Sequence, residues 1–465
     1  MKLTFCGGAK VVTGACYLLE TEKSKILVDC GAFQGEKELE AKNNEPFSFN
    51  PKEIDAVLIT HSHLDHIGRL PNLVEGGFNG RIFATPPTID FVHLILEDSR
   101  KILAEKAKHV GKLSLFSKKD IDQIMGLFIP TEYHQETKIS DEISFEFFEA
   151  GHILGSAVIK VILRPASPEL QRGEQAQDKK SVIVFSGDLG NYPVPILRKP
   201  EVIEEADYVL IESTYGDRLH EKADEAKNII EDVIEEAIRK NGVLMIPSFA
   251  LERTQQLLFH LNELAENKCI PQIPIFIDSP LAHDITDVYK KHERYFNQEA
   301  GNLIKSGDDI FKFPGLQFTH SIKDSKKINN IPPPKVIIAG SGMSQGGRII
   351  HHESLYLSGE RNILLLITYQ AKGTLGRRIM EGEKEVEILD AKIQVKAKIK
   401  NFTGYSAHAD QKGLLEWLCN ICKPIKKVFV VHGEEEPAGV LAQIIRDEMG
   451  LDAQVPEMGS TVELE

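Results

Sequence analysis

Tryptophan occurs once, cysteine six times and methionine seven times in 465 residues. The cysteines, Cys6, Cys16, Cys30, Cys269, Cys419 and Cys422, lack the dense spacing of a small secreted disulfide scaffold, so reduced thiols are expected. Cys419 and Cys422 form a CxxC with no second pair nearby, which excludes a four-cysteine zinc ribbon. Flanked by Leu414, Leu415, Trp417 and Leu418, they read as core cysteines on an amphipathic helix. No apolar run reaches the roughly 20 residues needed to cross a bilayer, and no start combines basic residues, an apolar run and a small-residue cleavage site. A cytoplasmic protein without a membrane partner is expected. Positive charge is also short: the formal charge of −14 excludes binding nucleic acid through the overall field. Basic groups must then act locally. The candidates are Lys101, Lys106, Lys108, Lys112, Lys118 and Lys119, and the alternating Lys392, Lys396, Lys398 and Lys400, each cluster reading equally as a solvated face.

What is present is a globular composition, 42% hydrophobic and 27% charged, with length for two or three cores. In the first two hundred residues short β-branched runs alternate with turns: Ala15–Glu20, Ile26–Asp29, Asp55–Thr60, Arg81–Ala84, Ile143–Ala150, Ser156–Leu163, Ser181–Ser186 and Tyr208–Glu212. Helical periodicity appears at Ile89–His109 and Lys118–Leu127, which predicts sheets covered by helices on their outer faces. From about Tyr215 helix and strand alternate: Glu221–Lys240, Gly242–Pro247, Leu251–Glu266, Ile273–Asp278, Lys335–Ala339 and Asn362–Thr368. This reads as a separate doubly wound α/β domain, with Lys323–Lys335 an extended connection because of Pro332, Pro333 and Pro334. Past Glu385 strands return, with a helix near Asp410–Cys419 and a strand at Lys427–Val431. Gln171–Lys180 reads as a polar surface loop.

The strongest chemical signal is His61-Ser62-His63-Leu64-Asp65-His66, directly after the apolar strand Asp55–Thr60. Three imidazoles and a carboxylate within six residues form a ligand set suited to zinc, and no packing purpose explains them. Further candidates stand near strand ends: Asp29 after Ile26, His152 after Ala150, Asp188 after Ser186, and His408 within Gly404–Asp410.

These residues resemble the metallo-β-lactamase superfamily, whose motifs run as an early Asp, HxHxDH, a lone His and a lone Asp. The resemblance implies an αββα sandwich binding two Zn2+, the first ion held by His61, His63 and His152. It implies that Asp65, His66 and the late His408 hold the second, that Asp188 bridges both, and that Asp29 orients a ligand from behind. A bridging water activated by the metals would then attack the substrate, with Asp65 and Asp188 in the catalytic set.

After Ile211-Glu212-Ser213-Thr214 about 170 residues intervene before Ser406-Ala407-His408-Ala409-Asp410. This resembles the β-CASP branch, which comprises nucleic-acid nucleases. Expected boundaries are 1–213 and 388–465 for the metallo-β-lactamase domain and 214–387 for the inserted β-CASP domain. The resemblance makes Glu212 a catalytic acidic residue. Ser248, with Ser341, Gly342 and Arg348 of the glycine-rich stretch Gly340–Arg348, is a candidate phosphate contact. In eukaryotic members a histidine follows GTL, whereas Gly373-Thr374-Leu375-Gly376-Arg377-Arg378 places Arg378 there, a residue that holds phosphate but donates no proton. His432, at a strand end, is placed either to serve near the metals or to cap the strand. The expected function is a zinc-dependent ribonuclease, endonucleolytic or 5′-exonucleolytic, acting on single-stranded RNA and able to self-associate as a homodimer. The alternatives are a small-ester or thioester hydrolase and a DNA-directed nuclease of the same branch.

Overall fold

The computed structural model describes residues 1–110, 116–164, 180–220, 225–371, 373–422 and 424–465. Lys112, the side chains of Lys106 and Lys108, and most of the Gln171–Lys180 loop lie outside the described residues. The chain forms two compact units: Met1–Tyr192, Lys199–Leu219 and His408–Glu465 make one, Pro193–Arg198 and His220–Ala407 the other.

The first unit holds two seven-stranded sheets. One runs in the order Thr461–Glu463, Lys2–Gly7, Cys16–Glu20, Lys25–Val28, Ala56–Leu58, Arg81–Ala84, Phe128–Pro130. The other runs Ala453–Gln454, Lys427–Val431, Tyr208–Glu212, Ser181–Phe185, Ala157–Leu163, Ile143–Glu149, Thr137–Lys138. In the first sheet pairing is antiparallel up to Lys25–Val28 and parallel beyond it. In the second it is parallel up to Ser181–Phe185 and antiparallel beyond it.

Side chains alternate across each strand, so one set from each sheet faces the other. Leu3, Phe5, Tyr17, Leu19, Ile26 and Val28 meet Phe145, Phe147, Ile159, Val161, Ile183 and Phe429 in one buried core. Each such side chain contributes about 1.5–3 kcal/mol. The opposite faces are covered by helices. Leu27, Val57 and Ile82 pack with Leu70, Leu73, Val92, Leu96 and Ile121 from Leu70–Glu75, Pro86–Val110 and Lys118–Met125. Val182, Val184, Val209, Ile211 and Val428 pack with Leu414, Trp417 and Leu418 of Gln411–Cys419 and with Leu441 and Ile445 of Glu435–Met449. The unit is therefore an αββα sandwich. The strands Lys2–Gly7 and Thr461–Glu463 and the helix Glu435–Met449 had escaped the sequence reading.

In the second unit six strands pair in parallel, in the order Leu316–Phe318, Ile275–Asp278, Lys335–Ala339, Val243–Pro247, Ile363–Leu366, Lys398–Asn401. Leu244, Met245, Ile246, Val336, Ile337 and Ile338 are all buried, as a parallel sheet covered on both faces requires. Because Lys398–Asn401 still pairs with Ile363–Leu366, this unit runs on to Ala407, beyond the expected limit at residue 387.

Two expectations need correction. Lys323–Lys335 is not wholly extended, since Ile322–Ile328 is helical, capped by Ser321, whose Oγ accepts the Asp324 amide at 3.1 Å. The three prolines restrict only the residues next to them. Cys419 and Cys422 are exposed, because the buried stripe of their helix and the turn after it is Leu414, Trp417, Leu418 and Ile421. All six cysteines are free thiols. Among the described residues no helix is long and apolar enough to cross a membrane.

Trp417, the single tryptophan, reports on the first unit. Urea titration followed by its fluorescence should show Phe145→Ala less stable by about 3–5 kcal/mol. Cys419→Ser and Cys422→Ser should stay within about 0.5 kcal/mol of the parent.

Candidate metal centre

Polar residues collect at one end of the sandwich because the strands that carry them finish there. Asp29 follows Lys25–Val28, His61 follows Ala56–Leu58, His152 follows Ile143–Glu149, Asp188 follows Ser181–Phe185, Glu212 ends Tyr208–Glu212 and His432 follows Lys427–Val431. The two sheets are joined at this end by the Ala157 amide, which donates to the Thr60 carbonyl at 2.7 Å. His63 precedes the one-turn helix Leu64–Ile67, which turns Asp65 and His66 into the same space. That turn lies against Gly31, where any Cβ would come within 1.5 Å of the Asp65 carbonyl oxygen, so only glycine fits.

Asp188 is the centre of the arrangement. Its Oδ2 lies 3.4 Å from His61 Nε2 and 3.5 Å from His152 Nε2. Its Oδ1 lies 3.4 Å from His66 Nε2 and 3.5 Å from His432 Nε2. His63 Nδ1 is 3.1 Å from both His61 Nε2 and His152 Nε2, and Asp65 Oδ2 is 3.8 Å from His432 Nε2. Three donor groups result: His61, His63, His152 and Asp188; Asp65, His66 and His432; and Asp188, Glu212 and His408.

The fit to cations rests on unmet polar atoms. His66 Nε2 and Asp188 Oδ1 are buried and make no hydrogen bond, which is costly unless a further partner enters. Burial pulls His61 well down and His63 down to about 4, leaving neutral imidazoles of the kind a cation binds. Burial also opposes charge on Asp188, yet His432, His66, His61 and His408 hold its carboxyl well below the usual range. For His66 burial is outweighed by the carboxylates of Asp188 and Asp29, which raise it well above its ordinary value. A cation entering there must displace a proton, so occupancy falls as pH falls.

Asp29 sits behind His66. Its Oδ1 accepts the Thr60 amide at 2.8 Å, and its Oδ2 accepts Thr60 Oγ1 and His66 Nδ1, each at 2.8 Å. This leaves Nε2 of His66 turned towards Asp188. Thr60 and Gly31, which set this geometry, carry no sequence signal of their own.

His408, expected as the late ligand of the second ion, stands in the third group, with Asp188 and Glu212. His408 Nδ1 is 3.1 Å from Glu212 Oε2 and 3.2 Å from Oε1, and 3.8 Å from Asp188 Oδ2. Beside Asp65 and His66 stands His432. Glu212 is fully buried, its Oε1 accepting the Leu189 amide at 2.7 Å, and its contact with the Thr214 amide is a longer 3.4 Å. Burial would lower His408, but Glu212 and Asp188 raise it to about 9.

The other candidates belong to the second unit. Arg378 forms a bidentate pair with Glu383 at 2.6 and 2.7 Å. Arg348 donates to Asp278 Oδ1 at 2.7 Å and to Thr319. Ser248 Oγ donates to the Phe249 carbonyl, Ser341 Oγ accepts the Gln345 amide, and the Gly342 carbonyl accepts from Thr368 and Gln370.

Three known families match the chain. The family described as Metallo-beta-lactamase superfamily matches residues 9–82, the Beta-Casp domain residues 254–379, and the Zn-dependent metallo-hydrolase RNA specificity domain residues 392–456. The chain is similar to Ribonuclease TTHA0252 of Thermus thermophilus, 36% identical over 96% of each chain. It is 30% identical to transcription termination factor FttA of Methanosarcina mazei, over all of this chain and 72% of that protein. An RNase J-like protein of Methanocaldococcus jannaschii is 30% identical over 98% of both. A crystal structure of a protein of unknown function from Enterococcus faecalis superposes with a TM-score of 0.55 at 12% identity, covering 100% of this chain and 99% of that one.

The Asp29–His66 hydrogen bond generates a test. Asp29→Ala should weaken cation binding roughly 10–100-fold, read by competition with a chelating dye. Affinity equal to the parent's would make Asp29 only a tie for Thr60.

Proposed function

Because the chain belongs to the β-CASP branch of the metallo-β-lactamase superfamily, we propose that it is a zinc-dependent ribonuclease hydrolysing phosphodiester bonds of single-stranded RNA. The observation that carries this reading is Asp188, whose two oxygens face two different sets of donors. His61, His63, His152 and Asp188 would hold one Zn2+, and Asp65, His66, His432 and Asp188 a second. When bound, such a pair acidifies water and offsets the charge on the oxygens of a phosphodiester. The ribonuclease and RNase J-like names of full-length relatives support RNA as the substrate.

The protein's own groups then divide the work. Asp188 and Asp65 keep the charge of the centre balanced, and Asp29 fixes the ring of His66. His408 and Glu212 form a hydrogen-bonded pair beside Asp188. The Glu212 carboxylate favours the protonated form of this imidazole and orients it, so that it would donate a proton to a leaving oxygen. This role replaces the one first expected of His408 as a zinc ligand, and it removes the need for a histidine at the position of Arg378, whose guanidinium is occupied by Glu383.

Zinc analysis combined with single-turnover RNA cleavage tests the assignment. His432→Ala should lose about one zinc per chain together with activity. His408→Ala and Glu212→Gln should keep both ions while the rate falls by roughly 10²–10⁴. If His408→Ala loses zinc and His432→Ala does not, the two roles are reversed.

A further inference from the structure

Three lysines of the second unit share one carboxylate. Lys398 and Lys400 project from the same face of the strand Lys398–Asn401, two residues apart, towards Glu236 on the helix Ala226–Lys240. Lys398 Nζ lies 2.9 Å from Glu236 Oε1, Lys400 Nζ 2.9 Å from Oε2, and Lys240 Nζ 3.1 Å from Oε1. Among the described residues Glu236 is the only carboxylate that any of the three pairs with. Two positive charges are left over in one small volume, on a chain whose formal charge is −14.

The arrangement is directional. The Glu236 side chain is 9% exposed, whereas those of Lys398, Lys240 and Lys400 are 49%, 35% and 27% exposed. An anion approaching from solvent meets ammonium groups and not the carboxylate. The lysines hold the Glu236 carboxyl down at about 2, which reports the sign of the local field. Ammonium groups gathered this closely repel one another, and a single carboxylate offsets only part of that repulsion. The strand is also the last of its sheet, paired on one side only, by Ile363–Leu366. Among the described residues no strand flanks its other side.

We propose that Lys240, Lys398 and Lys400 form an accessory contact for the phosphate backbone of RNA. The inference rests on the ribonuclease reading above. A polyanion with regularly spaced phosphates matches lysines repeated at every second strand residue, while base identity is not read, because the patch offers only ammonium donors. Its role is to hold the strand, which an acidic protein cannot do through its net charge.

The test uses the full-length zinc-loaded protein and a fluorescent phosphorothioate oligouridylate, with affinity measured by anisotropy across a salt series. The variant Lys398→Gln/Lys400→Gln should reduce the slope of log affinity against log salt by about 1.4, or about 0.7 for each of two lost contacts. At 0.1 M salt, referred to 1 M, that corresponds to roughly 25-fold weaker binding. Glu236→Gln provides the opposite sign: with the carboxylate neutralised, the patch gains a positive charge and RNA should bind more tightly with a steeper slope.

Lysines serving only as structural salt bridges would lower the melting temperature in both variants and leave RNA affinity at the parental value, which overturns the proposal. A site for an acidic protein would show loss of polyglutamate binding in the lysine variant with RNA binding unchanged, which also overturns it. A parent protein that hydrolyses bis(p-nitrophenyl) phosphate but binds no RNA removes the ribonuclease reading itself and this inference with it. A parent that binds RNA while neither variant differs from it removes only the inference.

Discussion

The centre of the first unit depends on one buried carboxylate. Asp188 is 2% exposed, and the ring nitrogens of His61, His66, His152, His408 and His432 lie within 3.8 Å of its oxygens. A charge so far from water is tolerated only when opposite charge or hydrogen-bond donors surround it. The imidazoles supply part of that requirement, and the unmet atoms His66 Nε2 and Asp188 Oδ1 define the remainder. The sandwich can be understood as the scaffold that holds this carboxylate: two sheets end their strands at one place, and their residues converge there.

A layer behind the donors fixes which atoms face inward. Thr60 ties Asp29, Asp29 ties His66, and the close approach of Gly31 to Asp65 sets the path of the short helix. On the other side the Leu189 amide holds Glu212, and Glu212 holds His408. The same logic separates the two late histidines. His432 stands directly after the strand Lys427–Val431, with its amide bonded to the Gly8 carbonyl, and so reaches the donors beside Asp65 and His66. His408 arrives on a segment anchored by the Ala409 amide to Leu189, which brings it to Glu212.

The inserted unit has its own polar economy. Asp278, at the end of a strand and fully buried, accepts from Arg348, Thr319, Ser325 and His352. Within the glycine-rich stretch that resembles a phosphate cradle, Arg348 is tied to Asp278 at a strand end, Ser341 accepts the Gln345 amide, and Ser344 donates to Glu353 of the following helix. Charge left over from such internal pairing appears instead around Glu236, where lysines outnumber carboxylates.

The sequence by itself determined the layers and most of the donor set. Short β-branched runs bounded by turns located most of the long strands, though not Lys2–Gly7, the helical stripes located their cover, and His61-Ser62-His63-Leu64-Asp65-His66 has a density of donors that packing never requires. Local spacing carries such information because neighbours in the chain are necessarily neighbours in space. Only the tertiary structure brought His432 beside Asp65 and His66 and His408 beside Glu212, exposed Cys419 and Cys422, and placed Lys398–Asn401 in the six-stranded sheet of the second unit. It also showed which arginines are already paired. Each of these depends on contacts between residues far apart in the chain, where a side chain's partner is fixed by how strands pair and helices pack, and a single sequence carries no signal for that.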